Sequence, residues 1–243
     1  MKNKVFKKFK IDIIETILVG IVIASSVLCV NEFKKIKIES AIDYFEKRAD
    51  FDSEQVKIGK ELFKKYKNIS DYNYNMTLAS LNYLPEKLLS TLKDSGLEGV
   101  IASCSALEYN NDLGLELNTE ERLNVKAKNI DAYYSPLHHI FVSAKLDDLF
   151  NFELNLVHEI GHAFDYLNFS TTNKILSQQD EFMAIYNSSE KDTLFDYNDY
   201  FTRSEKEYFA ESFSLYYINP TYLKNKAPNT YKYLKNTLSQ YES

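Results

Sequence analysis

DDLFNFELNLVHEIGHAFDYLN, residues 147–168, is the stretch whose reading decides the fold. Asp147 or Asp148 can cap a helix that runs to about Leu167. Within it stand His158, Glu159, Ile160, Gly161 and His162, an HExxH pattern. Four residues make just over one helical turn, so both imidazoles project from one face, close enough to share one tetrahedral ion. Glu159 is rotated by about 100° from His158. It therefore sits beside the ion, where it can take a proton from a water molecule and later pass one on. The chain has only 4 histidines, which makes the spacing specific. The bland alternative is a pair of histidines lining a helix face. The other two, His138 and His139, are adjacent on a predicted strand and so point to opposite faces, which suits structural or substrate-side roles better than shared ligation.

A catalytic ion of this kind needs a third protein ligand and one open position. Asp165 lies on the histidine face but seven residues past His158, about 10 Å along the axis. That suits an acceptor for His162, or a polar residue at the helix C-terminus. The better source of the ligand is SEKEYFAESFSLYYINP, residues 204–220, a helix that ends at Asn219-Pro220. Glu207 and Glu211 stand one turn apart there and share a face. A capping box, Ser204 with Glu207 or Thr202 with Glu205, would account for one glutamate at the helix start. It does not account for Glu211, which lies among Phe209, Phe213 and Leu215, where an unpaired carboxylate is costly.

Outward from these segments, 243 residues at 44% hydrophobic content suffice for one enzyme-sized domain. The formal charge is -6, and the first thirty residues, with five lysines and two acids, contribute +3 of it, leaving -9 for the remainder. So acidic a chain is not expected to bind nucleic acid. The basic start (Lys2, Lys4, Lys7, Lys8, Lys10) and the apolar run Thr16 to Val30 read as a secretory signal, or alternatively as an anchor, through residues 11–30, on the outer face of the cell membrane. The run is short for a span of about twenty residues, which favours export. With 6 glycines and 4 prolines, an all-β fold is disfavoured and helices should dominate. Glu39 to Lys67 has a charged helical pattern. Pro85, Leu88, Leu89, Leu92 and Gly96 mark a short helix with both ends punctuated. Met76 to Leu81, Gly99 to Cys104 and Leu137 to Ala144 read as strands, and Tyr109 to Asp131 as loop or irregular strand.

Three blocks, NFELNLVHEIGHAFDYL, DYFTRSEKEYFAESFSLYY and LKNKAPNTYKYLKNTL, resemble the zinc metallopeptidases typified by the anthrax lethal factor catalytic domain and the secreted bacterial Pro-Pro endopeptidases. The resemblance spans roughly Leu137 to Leu238. It implies an α+β, mainly helical zincin-like fold, a small twisted sheet over the HExxH helix. It implies one zinc per chain on His158, His162 and Glu207, with Glu159 as general base, Glu211 orienting the site, and Tyr200 donating its phenolic hydrogen to the oxyanion. It further implies an extended peptide or protein substrate bound along an edge strand, Tyr134 to Ser143. The expected organisation is 1–30 signal peptide or anchor, 31–75 helical segment and 76–243 catalytic domain. The function expected is that of a secreted or surface-exposed endopeptidase, with Pro-Pro specificity as one option. The chain departs from the Pro-Pro endopeptidases in AYYSPLHH, which replaces a glycine-containing stretch, and in having no tryptophan. A non-catalytic metal-binding module and a toxin-type host-directed protease are the alternatives.

Overall fold

Serine side chains start the first helices. The computed structural model of the protein describes residues 49–113, 132–135, 139–144, 152–167, 169, 173–195 and 199–242, all within one unit, Ala49–Ser243. Ser53 Oγ accepts from the Val56 N–H (3.2 Å) and opens α1 (Glu54–Leu62), which passes directly into strand β1 (Phe63–Tyr66). The helical pattern read across Glu39 to Lys67 thus gives way to a strand at Phe63. Ser70 caps α2 (Asp71–Ala79) through the Asn73 N–H at 3.0 Å. The run Met76 to Leu81, expected as a strand, is therefore the end of α2 followed by a 3₁₀ turn, Ser80–Tyr83. Consecutive burial of Met76, Thr77, Leu78 and Ala79 has no period that separates a strand from an enclosed helix, and the cap decides it.

Helix α3 (Glu86–Asp94) follows Pro85, buries Leu88, Leu89 and Leu92, and ends before Gly96, whose φ of 89° turns the chain into β2 (Glu98–Ala102). Part of the stretch expected as loop, from Tyr109, is instead the end of α4 (Ala106–Asp112), capped by Ser105. Strands β3 (Ala132–Ser135) and β4 (His139–Ser143) complete a mixed sheet in the order β1-β2-β4-β3. β1, β2 and β4 are parallel, and β3 runs antiparallel to β4 with Tyr134 opposite Ile140. The stretch Tyr134 to Ser143, expected as one edge strand, is thus divided. β3 is the edge, while β4 lies inside between β2 and β3. Pro136, which has no N–H for a ladder, stands between them.

Alternation gives the sheet two dressed faces. Ile140 and Val142 share the main core with Leu156, Val157 and Ile160 of α5 (Phe152–Tyr166), the HExxH helix. Phe141 and Val100 face the opposite way and pack with Tyr109 of α4. The Asp147 or Asp148 cap lies outside the described residues. Beyond α5 come α6 (Asp180–Tyr186), α7 (Glu190–Phe195), a turn α8 (Asp199–Thr202), and α9 (Glu205–Ile218), with α10 (Pro220–Lys226) and α11 (Pro228–Leu238) after it. α9 is the central helix, buried on all sides by Tyr208, Phe209, Ala210, Phe213 and Tyr216. It stops at Asn219-Pro220 as its sequence predicts, Asn219 then capping α10. The α5–α9 crossing is tight, since a Cβ on Gly161 would stand 3.0 Å from both the Cα and the carbonyl oxygen of Ala210. Among the described residues no helix is long and apolar enough to cross a membrane. The N-terminal segment, residues 1–48, lies outside them.

Candidate metal centre

Helix periodicity puts His158 and His162 on one face of α5, their ring centroids 4.8 Å apart. Across the Gly161–Ala210 crossing, α9 supplies the third donor. Ser204 caps that helix by accepting from the Glu207 N–H at 3.2 Å, so the capping expectation holds for this residue's backbone. Its carboxylate is free to turn inward. Glu207 Oε2 lies 3.3 Å from His158 Nε2 and 3.7 Å from His162 Nε2, and the three donor atoms fall within 4.8 Å of one another. Donors bound at about 2.0–2.1 Å around a tetrahedral ion stand roughly 3.4 Å apart, so the two separations from Glu207 are already close to ligand spacing. Glu207 Oε2 is buried and has no hydrogen-bond partner, which a bound cation would supply.

His158 Nδ1–H donates to Glu211 Oε2 at 3.0 Å. That bond keeps the Nδ1 proton in place and leaves the Nε2 lone pair facing Glu207 and the ion. It also answers why a carboxylate stands among the aromatic residues of α9. Electrostatically the cluster calls for positive charge. Burial works against a charged His158, yet the nearby carboxylates of Glu207 and Glu211 raise it to about 10. Burial likewise opposes an ionised Glu207, and the two imidazoles reverse this, holding it well below the usual carboxylate range. His162 is lowered, chiefly by burial.

Glu159 is buried beside this set. Burial pushes it up to about 8 against the pull of His158, while the Tyr134 backbone N–H donates to its carboxylate. Its Oε2 is buried without a partner. The edge strand therefore touches the residue expected to be the base, a contact between segments too far apart along the chain to be read from local pattern. On the other side, the Phe201 ring lies 6.0 Å from that of His158. Phe201 follows Tyr200 in α8, a turn tied down by the Tyr186 hydroxyl, which donates to the Thr202 carbonyl at 2.8 Å.

A family model described as "Anthrax toxin lethal factor, N- and C-terminal domain" matches residues 75–237, which take in all the residues named above as site candidates. The chain belongs to this family of zinc metallopeptidases. Among solved structures, the Pro-Pro endopeptidase from Paenibacillus alvei aligns at a TM-score of 0.56 and 18% identity, over 74% of this chain and 99% of that one. At such identity the likeness speaks for the fold, an α+β zincin-like architecture. No curated protein matches the sequence.

Within this lethal-factor-family domain one expected residue stands apart. The oxygens of Asp165 go to Ser177 and not to His162, so it is the polar residue at the helix C-terminus, next to last in α5. It is wholly buried, and its two oxygens accept from the Ser177 N–H (2.6 Å) and hydroxyl (2.7 Å). At almost two turns from His158 its side chain meets the 3₁₀ turn Leu176–Gln178 instead of the metal site. His139 bonds with the Tyr109 hydroxyl (3.1 Å) on the sheet face away from α5, a structural role; His138 lies outside the described residues.

Proposed function

We propose that the protein is a zinc endopeptidase exported to the cell exterior. The observation that carries the activity is the unpartnered Glu207 Oε2 at ligand spacing from two imidazoles, with Glu159 beside them. Two imidazoles and one carboxylate with a position left open suit zinc. Bound there, zinc supplies a Lewis acid that polarises the scissile carbonyl and makes water a nucleophile near neutral pH. His158, His162 and Glu207 would hold it, and Glu211 fixes the tautomer of His158. Glu159 takes the proton of the attacking water and passes it to the leaving amine nitrogen. Tyr200, by family resemblance, donates to the oxyanion that develops in the transition state.

An extended peptide is the substrate we favour, laid along β3, the sheet edge nearest Glu159. AYYSPLHH and the absence of tryptophan argue for a side-chain preference other than a Pro-Pro bond. Export is supported by the basic start and the apolar run from Thr16 to Val30. The test pairs the zinc-loaded protein with its Glu159→Gln variant on a peptide library, reading products by mass spectrometry and zinc by elemental analysis. One zinc in each, with cleavage only by the wild type, is expected. Cleavage by the variant at near wild-type rate, or no zinc in either, would overturn the reading.

A further inference from the structure

Lys206 stands between Glu205 and Glu207 on α9, half-buried. Its Nζ donates to the Tyr166 hydroxyl at 3.1 Å and lies 5.6 Å from that ring's centroid. Tyr166 is one turn beyond His162 on α5, so the ammonium is carried to the flank of the metal site, and its charge is felt at His162. The carboxylates around it are committed elsewhere. Glu205 accepts from Gln178 (3.1 Å), both oxygens of Asp165 accept from Ser177, and Glu207 faces the two imidazoles. Among the described residues no carboxylate pairs with Lys206. An ammonium has three donors, and one is used.

The surroundings are aromatic. The Tyr134 ring packs 5.5 Å from that of Tyr166, and Phe169, 45% exposed, lies 6.1 Å from it. Tyr134 belongs to β3, and its N–H holds Glu159. A cation with spare donors thus rests on Tyr166, whose ring links it to Tyr134 of the edge strand on one hand and to Phe169 on the other. In a chain of net charge -6, this half-buried ammonium has the Tyr166 hydroxyl and ring as its contacts and no ion pair among the described residues, which leaves donors for an incoming anion.

We propose that Lys206, seated on Tyr166 beside the aromatic cluster that Tyr166 forms with Tyr134 and Phe169, is a subsite for a substrate carboxylate, so that the enzyme cleaves next to a glutamate or aspartate whose methylene stem lies on the rings. The inference rests on the peptidase reading above. Its test uses the zinc-loaded full chain and matched peptides carrying Glu or Gln at each position flanking the scissile bond, with free or amidated C-termini. At one position Glu should exceed Gln in kcat/KM by about tenfold or more, the gain from one charge-assisted hydrogen bond. Lys206→Met should bring that ratio close to one, and Lys206→Glu should turn it below one. A wild-type ratio of one at every position, with both peptides cleaved, overturns the subsite and leaves the peptidase standing. That measurement decides even if a Lys206 variant fails to fold. Equal cleavage of the Glu and Gln peptides that drops for both on amidation assigns the site to a terminal carboxylate and overturns the side-chain form. No cleavage of any peptide overturns the peptidase reading itself.

Discussion

Glu207 and Glu211 share one face of α9 and divide the work between atoms. Glu207 gives its N–H to the Ser204 cap and its carboxylate to the histidines. Alanine at 207 keeps the capping bond, so a loss of metal in that variant cannot be ascribed to a frayed helix. We expect Glu207→Ala to strip zinc or weaken it severely, and Glu211→Ala to weaken it by about 10–100-fold, as befits a residue acting through His158. Competition with a chromogenic chelator gives both constants, and equal affinity in wild type and Glu207→Ala would remove this ligand. Asp165 allows a separate test by pH. Burial raises it to about 7 from an ordinary value of 3.8, so the folded state holds its proton over a range where the unfolded chain has lost it. Stability from this group is therefore present below about 4 and falls as pH rises towards 7. Asp165→Asn, which can still accept from the Ser177 N–H, should abolish that slope. The check is the difference between wild-type and variant urea midpoints across this window; a parallel pair of curves would contradict it.

At the scale of elements, the α5–α9 crossing sets where Glu207 sits. A methyl at position 161 would meet backbone atoms of Ala210 at 3.0 Å, and backbone cannot turn aside as a long side chain can. Gly161→Ala should push the helices apart, costing about 1–3 kcal/mol of stability by overpacking. It should also weaken zinc, since Glu207 moves off while the histidine pair does not. Thermal melts with zinc titration read the two effects, and unchanged zinc affinity would show that the crossing tolerates the methyl. This dependence was invisible in the sequence, where Gly161 reads only as a variable position of HExxH. What could be read were elements with local punctuation: α3 between Pro85 and Gly96, α9 ending at Asn219-Pro220, and β2 and β4 from their apolar runs. What could not were features fixed by partners distant along the chain. The cap at Ser70 overrides the strand-like run of α2, β3 and β4 divide a stretch that looks continuous, and Asp165 finds Ser177. Periodicity alone put Glu207 on the right face, and only the family resemblance set it against His158 and His162, because nothing local to residues 204–220 says which helix lies opposite.

For the molecule as a whole, the three ligands come from two helices that are distant in sequence. Between His162 and Glu207 the chain makes the 3₁₀ turn Leu176–Gln178 and the helices α6, α7 and α8, in which none of the described residues joins the cluster. An ion bound to both ends therefore acts as a removable crosslink on a closed loop, as a disulfide would in a protein that had one there. For a loop of that length the chain-entropy estimate of such a tie is about 4 kcal/mol. Folding and metal supply are then one equilibrium, and stability should grow by about 1.4 kcal/mol for each tenfold rise in free zinc above the dissociation constant. A melting temperature independent of free zinc would contradict the tie. If it holds, and the chain is exported as proposed, it can cross the membrane in its looser form and tighten only where the metal is available.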